Sequence, residues 1–355
     1  MRERYKEGSA RSAKNILSVI EKTKANDESI LVFLHRSVDG DCVGSASGVV
    51  SIIRALGVDA YVAIPESLPE NMAFLNIGEL FFQPDSDSEL ANEFRTNRTL
   101  GGKKVGAAVA CDCSEASRMG LCGEIFDSIE DKIVIDHHAS VTHRSDNLWI
   151  DPDASSASEM VFYVAEQISA ITGKEMKDII TSNAAKAVLA GIVTDTGRFT
   201  FKNTRPETLE SAGLLIELGG DISEVCYNLF DRKTKQKFRL SAKARSEVQF
   251  YFDDKFAMTV VPYSQFVEYN AGPDGVDDVV SAMRDIDGVE LAIVLRELEN
   301  GEIRGNIRSQ DYFDCSKFAE TYGGGGHMRA AGFTAKNIDI YKLAEDIVNK
   351  VQDAL

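Results

Sequence analysis

The stretch Lys132-Ile133-Val134-Ile135-Asp136-His137-His138 decides how this chain is read. A short apolar run bounded by polar residues is the mark of a buried strand. Here the run ends in a carboxylate, and two imidazoles follow at once. At the tip of a strand, that combination makes a corner suited to metal ions. The chain has 355 residues but only five histidines, His35, His137, His138, His143 and His327. Three fall in Asp-rich segments and a fourth follows a run of glycines. His143 stands in the polar Thr142-His143-Arg144-Ser145 and reads as a surface residue.

Moving outward, the same strand-then-acid arrangement recurs. Ile30-Leu31-Val32-Phe33-Leu34 ends at His35, and an apolar run over 104–110 ends at Cys111-Asp112. Residues 42–56 read as a helix with small residues at its start, and 58–64 as a strand. This alternation predicts a parallel sheet covered by helices. In such sheets functional groups collect at the carboxyl ends of the strands. Ser156-Ala157-Ser158-Glu159 before Met160-Val161-Phe162 is a capping-box pattern, predicting a helix to about residue 171. A helix over 179–192 delivers Asp195 at its end. Helical sequence continues over 207–218, 222–230 and 231–243. Strands at 256–261, 289–295 and 302–307, with helices at 279–286 and 338–351, predict a second, smaller α/β domain.

Composition narrows the function. A hydrophobic fraction of 44% suffices for two folded cores. A net charge of −17 is poorly suited to gripping long duplex DNA, where neutralised phosphates dominate affinity. It leaves room for a short nucleotide held by local cations and metals. Apolar stretches stay far below the roughly 18 residues that span a bilayer, so no membrane partner is expected. Met1-Arg2-Glu3-Arg4-Tyr5 lacks the apolar core of a signal peptide. The six cysteines show no zinc-type paired spacing and read as free thiols of a cytoplasmic protein.

The chemistry-bearing residues form four segments. His35-Arg36-Ser37-Val38-Asp39-Gly40-Asp41 can turn two carboxylates and an imidazole toward one point, although an Asp-Gly-Asp loop also serves as a plain solvated turn. Asp112 is either a cap or a ligand. Asp136-His137-His138 offers a ligand, a substrate-facing ring and a brace. Asp195, in Thr194-Asp195-Thr196-Gly197, ends a buried helix as turn former or ligand. Together Asp39, Asp41, Asp112, Asp195, His35 and His137 suffice for two metals sharing a bridging carboxylate. Two metals roughly 3.5–4 Å apart are the standard arrangement for phosphoester hydrolysis. Near the C-terminus, Gly323-Gly324-Gly325-Gly326-His327 could form either a flexible loop or a nest of N–H groups for an anion. Arg304 and Arg308 on the preceding strand, with His327, could add charge-assisted bonds to phosphate.

These segments resemble, in order, the four motifs of the DHH phosphoesterase superfamily, and the glycine run followed by Arg329-Ala330-Ala331-Gly332 resembles its DHHA1 domain. The two-domain form is similar to the nanoRNase/pAp-phosphatase subgroup, related to the RecJ exonuclease core. The resemblance implies an α/β fold: a parallel-sheet DHH domain with flanking helices over 1–204, a helical linker over 205–243, and a smaller α/β DHHA1 domain over 244–355. It implies two Mn²⁺, with Mg²⁺ or Co²⁺ as alternatives. His35, Asp39 and Asp112 would hold one, and Asp41, Asp112, His137 and Asp195 the other. His138 would face the scissile phosphate, and Asp136 would support it. Arg304, Arg308, Gly325, Gly326 and His327 would bind the far end of the nucleotide. Cys42 stands where alanine is common and is outside the implied ligand set. The implied activity is hydrolysis of short single-stranded RNA to mononucleotides and of 3′-phosphoadenosine 5′-phosphate to AMP, with cyclic or linear dinucleotides such as c-di-AMP and pApA as the alternative substrates. A homodimer is compatible with this reading.

Overall fold

The computed structural model describes residues 3–138 and 147–352. The predicted surface residue His143 lies outside the described residues. The chain divides into two compact units, Met1–Arg232 and Lys233–Leu355. The break falls inside the stretch 205–243.

In chain order, α1 (Glu3–Ala25) and β1 (Ser29–Phe33) lead to α2 (Gly40–Ala55), β2 (Ala60–Ala63) and the short β3 (Phe81–Phe82). Next come α3 (Glu89–Asn97), β4 (Thr99–Leu100), β5 (Lys103–Cys111), α4 (Gly123–Ser128), β6 (Asp131–Asp136) and β7 (Leu148–Ile150). Then α5 (Ala157–Thr172), the one-turn α6 (Met176–Ile179), α7 (Ser182–Asp195), α8 (Pro206–Glu217) and α9 (Ile222–Cys226) complete the first unit. The sheet runs β3-β2-β1-β5-β6-β7, with parallel pairing throughout that path, and β4 pairs antiparallel with β5.

Alternation along β1 shows why the sheet is buried on both faces. Ile30, Val32 and Leu34 join one core, with α1, α2, α5 and α7. Leu31 and Phe33 join the other, with Phe94, Met119 and Phe126. Among these helices α1 has no counterpart in the sequence reading. It contributes Tyr5, Ala13, Ile16 and Ile20 to the first core.

The chain leaves β1 in one direction to form β2 and β3, then returns to place β5 on the other side of β1. That reversal is the topological switch point, where open α/β sheets bind ligands outside the strand ends. The residues just past β1, β5 and β6 are the motifs quoted above. Helices α2 and α7 also approach this edge, and they do so closely. A Cβ on Gly44 would lie 2.4 Å from the Ala187 carbonyl oxygen, and one on Gly191 would lie 2.0 Å from the Ser158 hydroxyl. These glycines bring the start of α2 and the end of α7 together at the switch point.

The second unit comprises α10 (Lys235–Ser246), β8 (Gln249–Tyr251), β9 (Phe256–Val261), α11 (Tyr263–Tyr269), α12 (Val279–Arg284), β10 (Leu291–Glu297) and β11 (Ile303–Ser309), then α13 (Cys315–Glu320), β12 (Gly325–His327), β13 (Ala330–Ala335) and α14 (Ile340–Val351). Its sheet order is β12-β13-β11-β10-β9-β8, antiparallel except for β9 with β10. Both sides of the break in the 205–243 stretch are packed. Ala212, Leu215 and Val225 are buried in the first unit's core, and Leu240 in the second's. Among the described residues no helix is long and apolar enough to cross a membrane.

Candidate metal centre

Each acidic group at the switch point is positioned by the element it ends or begins. Asp39 caps α2: one carboxylate oxygen accepts from the N–H groups of Asp41 and Cys42 at 3.1 and 3.0 Å. The cap leaves its other oxygen 3.8 Å from His35 Nε2. Asp41 is fully buried at the first turn of α2, and its two oxygens accept from the N–H groups of Ala157 and Ser158 at 2.7 and 2.8 Å. Asp112 directly follows β5 in a left-handed conformation, with φ 55°. Aspartate tolerates that region better than most residues, and the turn aims its carboxylate between the histidines.

Asp112 joins the two halves of the centre. One of its oxygens lies 3.1 Å from His35 Nε2. The other lies 3.4 Å from His137 Nε2 and 3.3 Å from His138 Nδ1. His137 Nε2 is also 3.2 Å from Asp195 and 3.7 Å from Asp41. Its Nδ1 faces the Ala154 carbonyl at 3.4 Å, which fixes the ring with Nε2 toward the carboxylates. His138 Nδ1 bonds Asp136 at 2.8 Å, and Asp136 also takes the His138 backbone N–H at 3.0 Å. Asp136 thus holds residue 138 by both its ring and its backbone.

The electrostatics follow from this crowding. Burial alone would push the Asp112 carboxyl up, but the close imidazoles of His137, His138 and His35 outweigh it and hold the group well below its usual range. Burial opposes the charge on His35 and His137 too. The carboxylates win: Asp112 and Asp39 raise His35 to about 9, and Asp112, Asp195 and Asp41 raise His137 to about 12. Asp112 and Asp136 raise His138 to about 9. Asp41 is driven well up by burial and by the neighbouring charges of Asp112 and Asp195. Asp195 is raised by burial despite its bond to His137.

These residues fit a bound cation. Oxygen, imidazole and sulfur donors converge in three groups, the last two sharing His137: His35 with Asp39 and Cys42, Asp112 with His137 and His138, and Asp41 with His137 and Asp195. Within each group the donor atoms lie within 4.8 Å of one another. A buried oxygen of Asp112 has no hydrogen-bond partner among the described residues, and buried acceptors are rarely left so. All six proposed ligands therefore meet at one place. Sequence reasoning passed over the Cys42 sulfur, which lies within this centre. It also missed the backbone groups of 154–158, whose only sequence signal is the small-residue run before α5. Cys111 and Cys113 pack into the cores on either side of β5, and burial pushes both thiols up.

The second unit gathers four of the five other predicted residues on one face of its sheet. Cross-strand register pairs Arg308 with Ala330, and Ala330 with His327. It pairs Asn306 with Gly332, and Gly332 with Gly325. Directly opposed residues share a face. Arg304, Arg308, Gly325 and His327 therefore line up there, while Gly326 faces the other way. A nest across all four glycines does not form. The N–H groups of Gly323 and Gly324 close α13 by bonding Glu320 and Ala319 carbonyls at 3.0 and 2.9 Å.

Comparison with known proteins agrees with this arrangement. The DHH family, N-terminal domain, matches residues 29–192, and the DHHA1 domain matches 253–355. A bifunctional oligoribonuclease and PAP phosphatase, NrnA, from Thermus thermophilus is 31% identical over 95% of this chain and 93% of its own. The protein of that name from Bacillus subtilis is 30% identical over 85% of this chain and 88% of its own. A crystal structure of an exopolyphosphatase-related protein from Bacteroides fragilis shares the fold with a TM-score of 0.81, at 22% identity, covering 95% of this chain and 97% of that one. Motifs at the switch point, both domain matches and full-length relatives coincide, and the chain belongs to the DHH family of metal-dependent phosphoesterases, in its DHH–DHHA1 form.

Proposed function

We propose that this chain is a cytoplasmic, Mn²⁺-dependent enzyme that hydrolyses short oligoribonucleotides to mononucleotides and 3′-phosphoadenosine 5′-phosphate to AMP. The observation that carries the reading is Asp112, a buried carboxylate shared between His35 on one side and His137 and His138 on the other. His35, Asp39 and Asp112 would hold one ion, and Asp41, Asp112, His137 and Asp195 a second. Bound there, the ions would supply Lewis acidity toward phosphate oxygens and a hydroxide at neutral pH.

The protein's own groups account for the rest of the chemistry. Hydrolysis forms a bond from water oxygen to phosphorus and breaks the bond to the leaving oxygen, which must gain a proton. His138 is suited to give it. Asp136 fixes its Nδ1 through a 2.8 Å hydrogen bond, and its carboxylate favours the protonated ring. That orientation leaves Nε2 as the nitrogen to donate. In the DHHA1 domain, Arg304, Arg308, Gly325 and His327 share a sheet face suited to the remaining phosphate and sugar, and Gly326 supports their strand. The names of both full-length relatives support this substrate class.

The test is a panel of pApA, 3′-phosphoadenosine 5′-phosphate and c-di-AMP, incubated with purified protein and Mn²⁺ and resolved by product chromatography. AMP should appear from the first two. If both stay intact the proposal fails, and cleavage of c-di-AMP alone would transfer the assignment to cyclic dinucleotides.

A further inference from the structure

Three of the four ligands proposed for the second, inner ion, namely Asp41, His137 and Asp195, come from distant parts of the chain, yet they share one support. That support is the turn 154–158. Its Ala154 carbonyl faces His137 Nδ1 at 3.4 Å. Its Ala157 and Ser158 N–H groups hold the Asp41 carboxylate, and the Ser158 hydroxyl adds a bond to the Asp41 carbonyl at 3.2 Å. Asp195 is tied to the same turn indirectly. The Asn203 side-chain nitrogen lies 3.0 Å from the Asp195 carbonyl and 3.0 Å from the Ser155 carbonyl. Both partners are acceptors, so the amide must present its NH₂ to them, one hydrogen to each.

The turn is itself braced from behind. Buried Glu159 accepts from the Ser155 N–H at 3.1 Å and from the Ser155 hydroxyl at 2.6 Å. The same oxygen lies 3.4 Å from both the Thr208 and Tyr5 hydroxyls. This is not a reciprocal capping box. Ser156 caps α5 through the Glu159 N–H at 3.0 Å, while the Glu159 carboxylate serves Ser155 instead.

We propose that Asn203 is a positioning residue for the inner metal site, acting with the Glu159-braced turn to set the spacing of Asp41, His137 and Asp195. The outer group, His35 and Asp39, has no hydrogen bond to this turn among the described residues. Loss of the Asn203 amide should therefore weaken one ion and spare the other. This inference rests on the metal reading of the site but on no particular substrate.

The test titrates Mn²⁺ into chelator-stripped protein and follows bound ion by electron paramagnetic resonance and calorimetry. Asn203→Ala, and the volume-matched Asn203→Leu if the first does not fold, should raise one of two dissociation constants at least about tenfold, as loss of a ligand-orienting partner does. The other should stay within about twofold. Glu159→Gln keeps an acceptor for Ser155 and should bind as wild type, whereas Glu159→Leu should show the Asn203 defect. A merely structural role would lower the melting temperature and leave both constants unchanged, which overturns the proposal. Equal weakening of both ions overturns it as well. A wild-type protein that binds no Mn²⁺ would instead overturn the metal reading beneath it.

Discussion

Loading this site with Mn²⁺ at neutral pH must expel protons, and the structure sets how many. An imidazole nitrogen ligates only after its proton has left. The carboxylates around His35 and His137 raise them to about 9 and about 12, so at pH 7 both rings are almost fully protonated. Filling both sites should then release about two protons, whereas two ordinary histidines near 6.5 would release only about 0.5 together. Calorimetry in buffers of different ionisation enthalpy reads the number directly, as the slope of observed heat against buffer heat. Each ion's apparent affinity should rise about tenfold per pH unit between pH 7 and 8, and the product of the two about 100-fold. Above pH 9 the contribution of His35 vanishes, because that ring has already lost its proton. Saturable binding with a slope below one proton at pH 7 would refute the argument, either because the rings are neutral without metal or because they do not ligate.

Other outcomes follow from the same geometry. Asp112→Asn keeps a side chain that tolerates φ 55° but removes the shared charge; Mn²⁺ binding should weaken at least about 100-fold with unchanged far-ultraviolet circular dichroism, and retained binding would remove Asp112 from the centre. For metal-free protein, the raised pKa values of His35 and His138 mean that their stabilisation is complete below about pH 6.5 and lost as pH rises through about 9. The urea midpoint of stripped protein should therefore fall between pH 6 and 10, while that of Mn²⁺-loaded protein should not; a flat profile for the stripped form contradicts the shifts. Gly326→Ala places a Cβ 2.5 Å from the Ala330 carbonyl oxygen and 2.6 Å from the Ala331 Cα, at φ 150°. It should cost about 1–3 kcal/mol and raise KM for pApA while Mn²⁺ affinity stays unchanged, and a normal KM would separate β12 from substrate.

What the sequence made legible and what it hid divide along a physical line. Strand-tip residues were legible because a parallel strand is a nearly continuous apolar run, and the polar residue that ends it is conspicuous. Ile135-Asp136 and Ala110-Cys111-Asp112 are of this kind, and β6 and β5 stop where the pattern changes. Helix α1 was missed because its inward stripe, Tyr5, Ser9, Ser12, Ala13, Ile16 and Ile20, mixes hydroxyls with small apolar groups. A periodicity built on apolar side chains does not register such a stripe. The supports of the metal centre were hidden for a deeper reason. Asp41 is held by two backbone N–H groups more than a hundred residues away, and any residue except proline supplies an N–H. Only the surroundings of such a contact leave a trace: small side chains at 154–158 that let the turn close, and the glycines at 44 and 191 that admit it. Ligands are thus written in residue identity, while their spacing is written in the absence of bulk. Asn203 is an exception, because there a side chain that substitution can remove ties the Asp195 carbonyl to the turn.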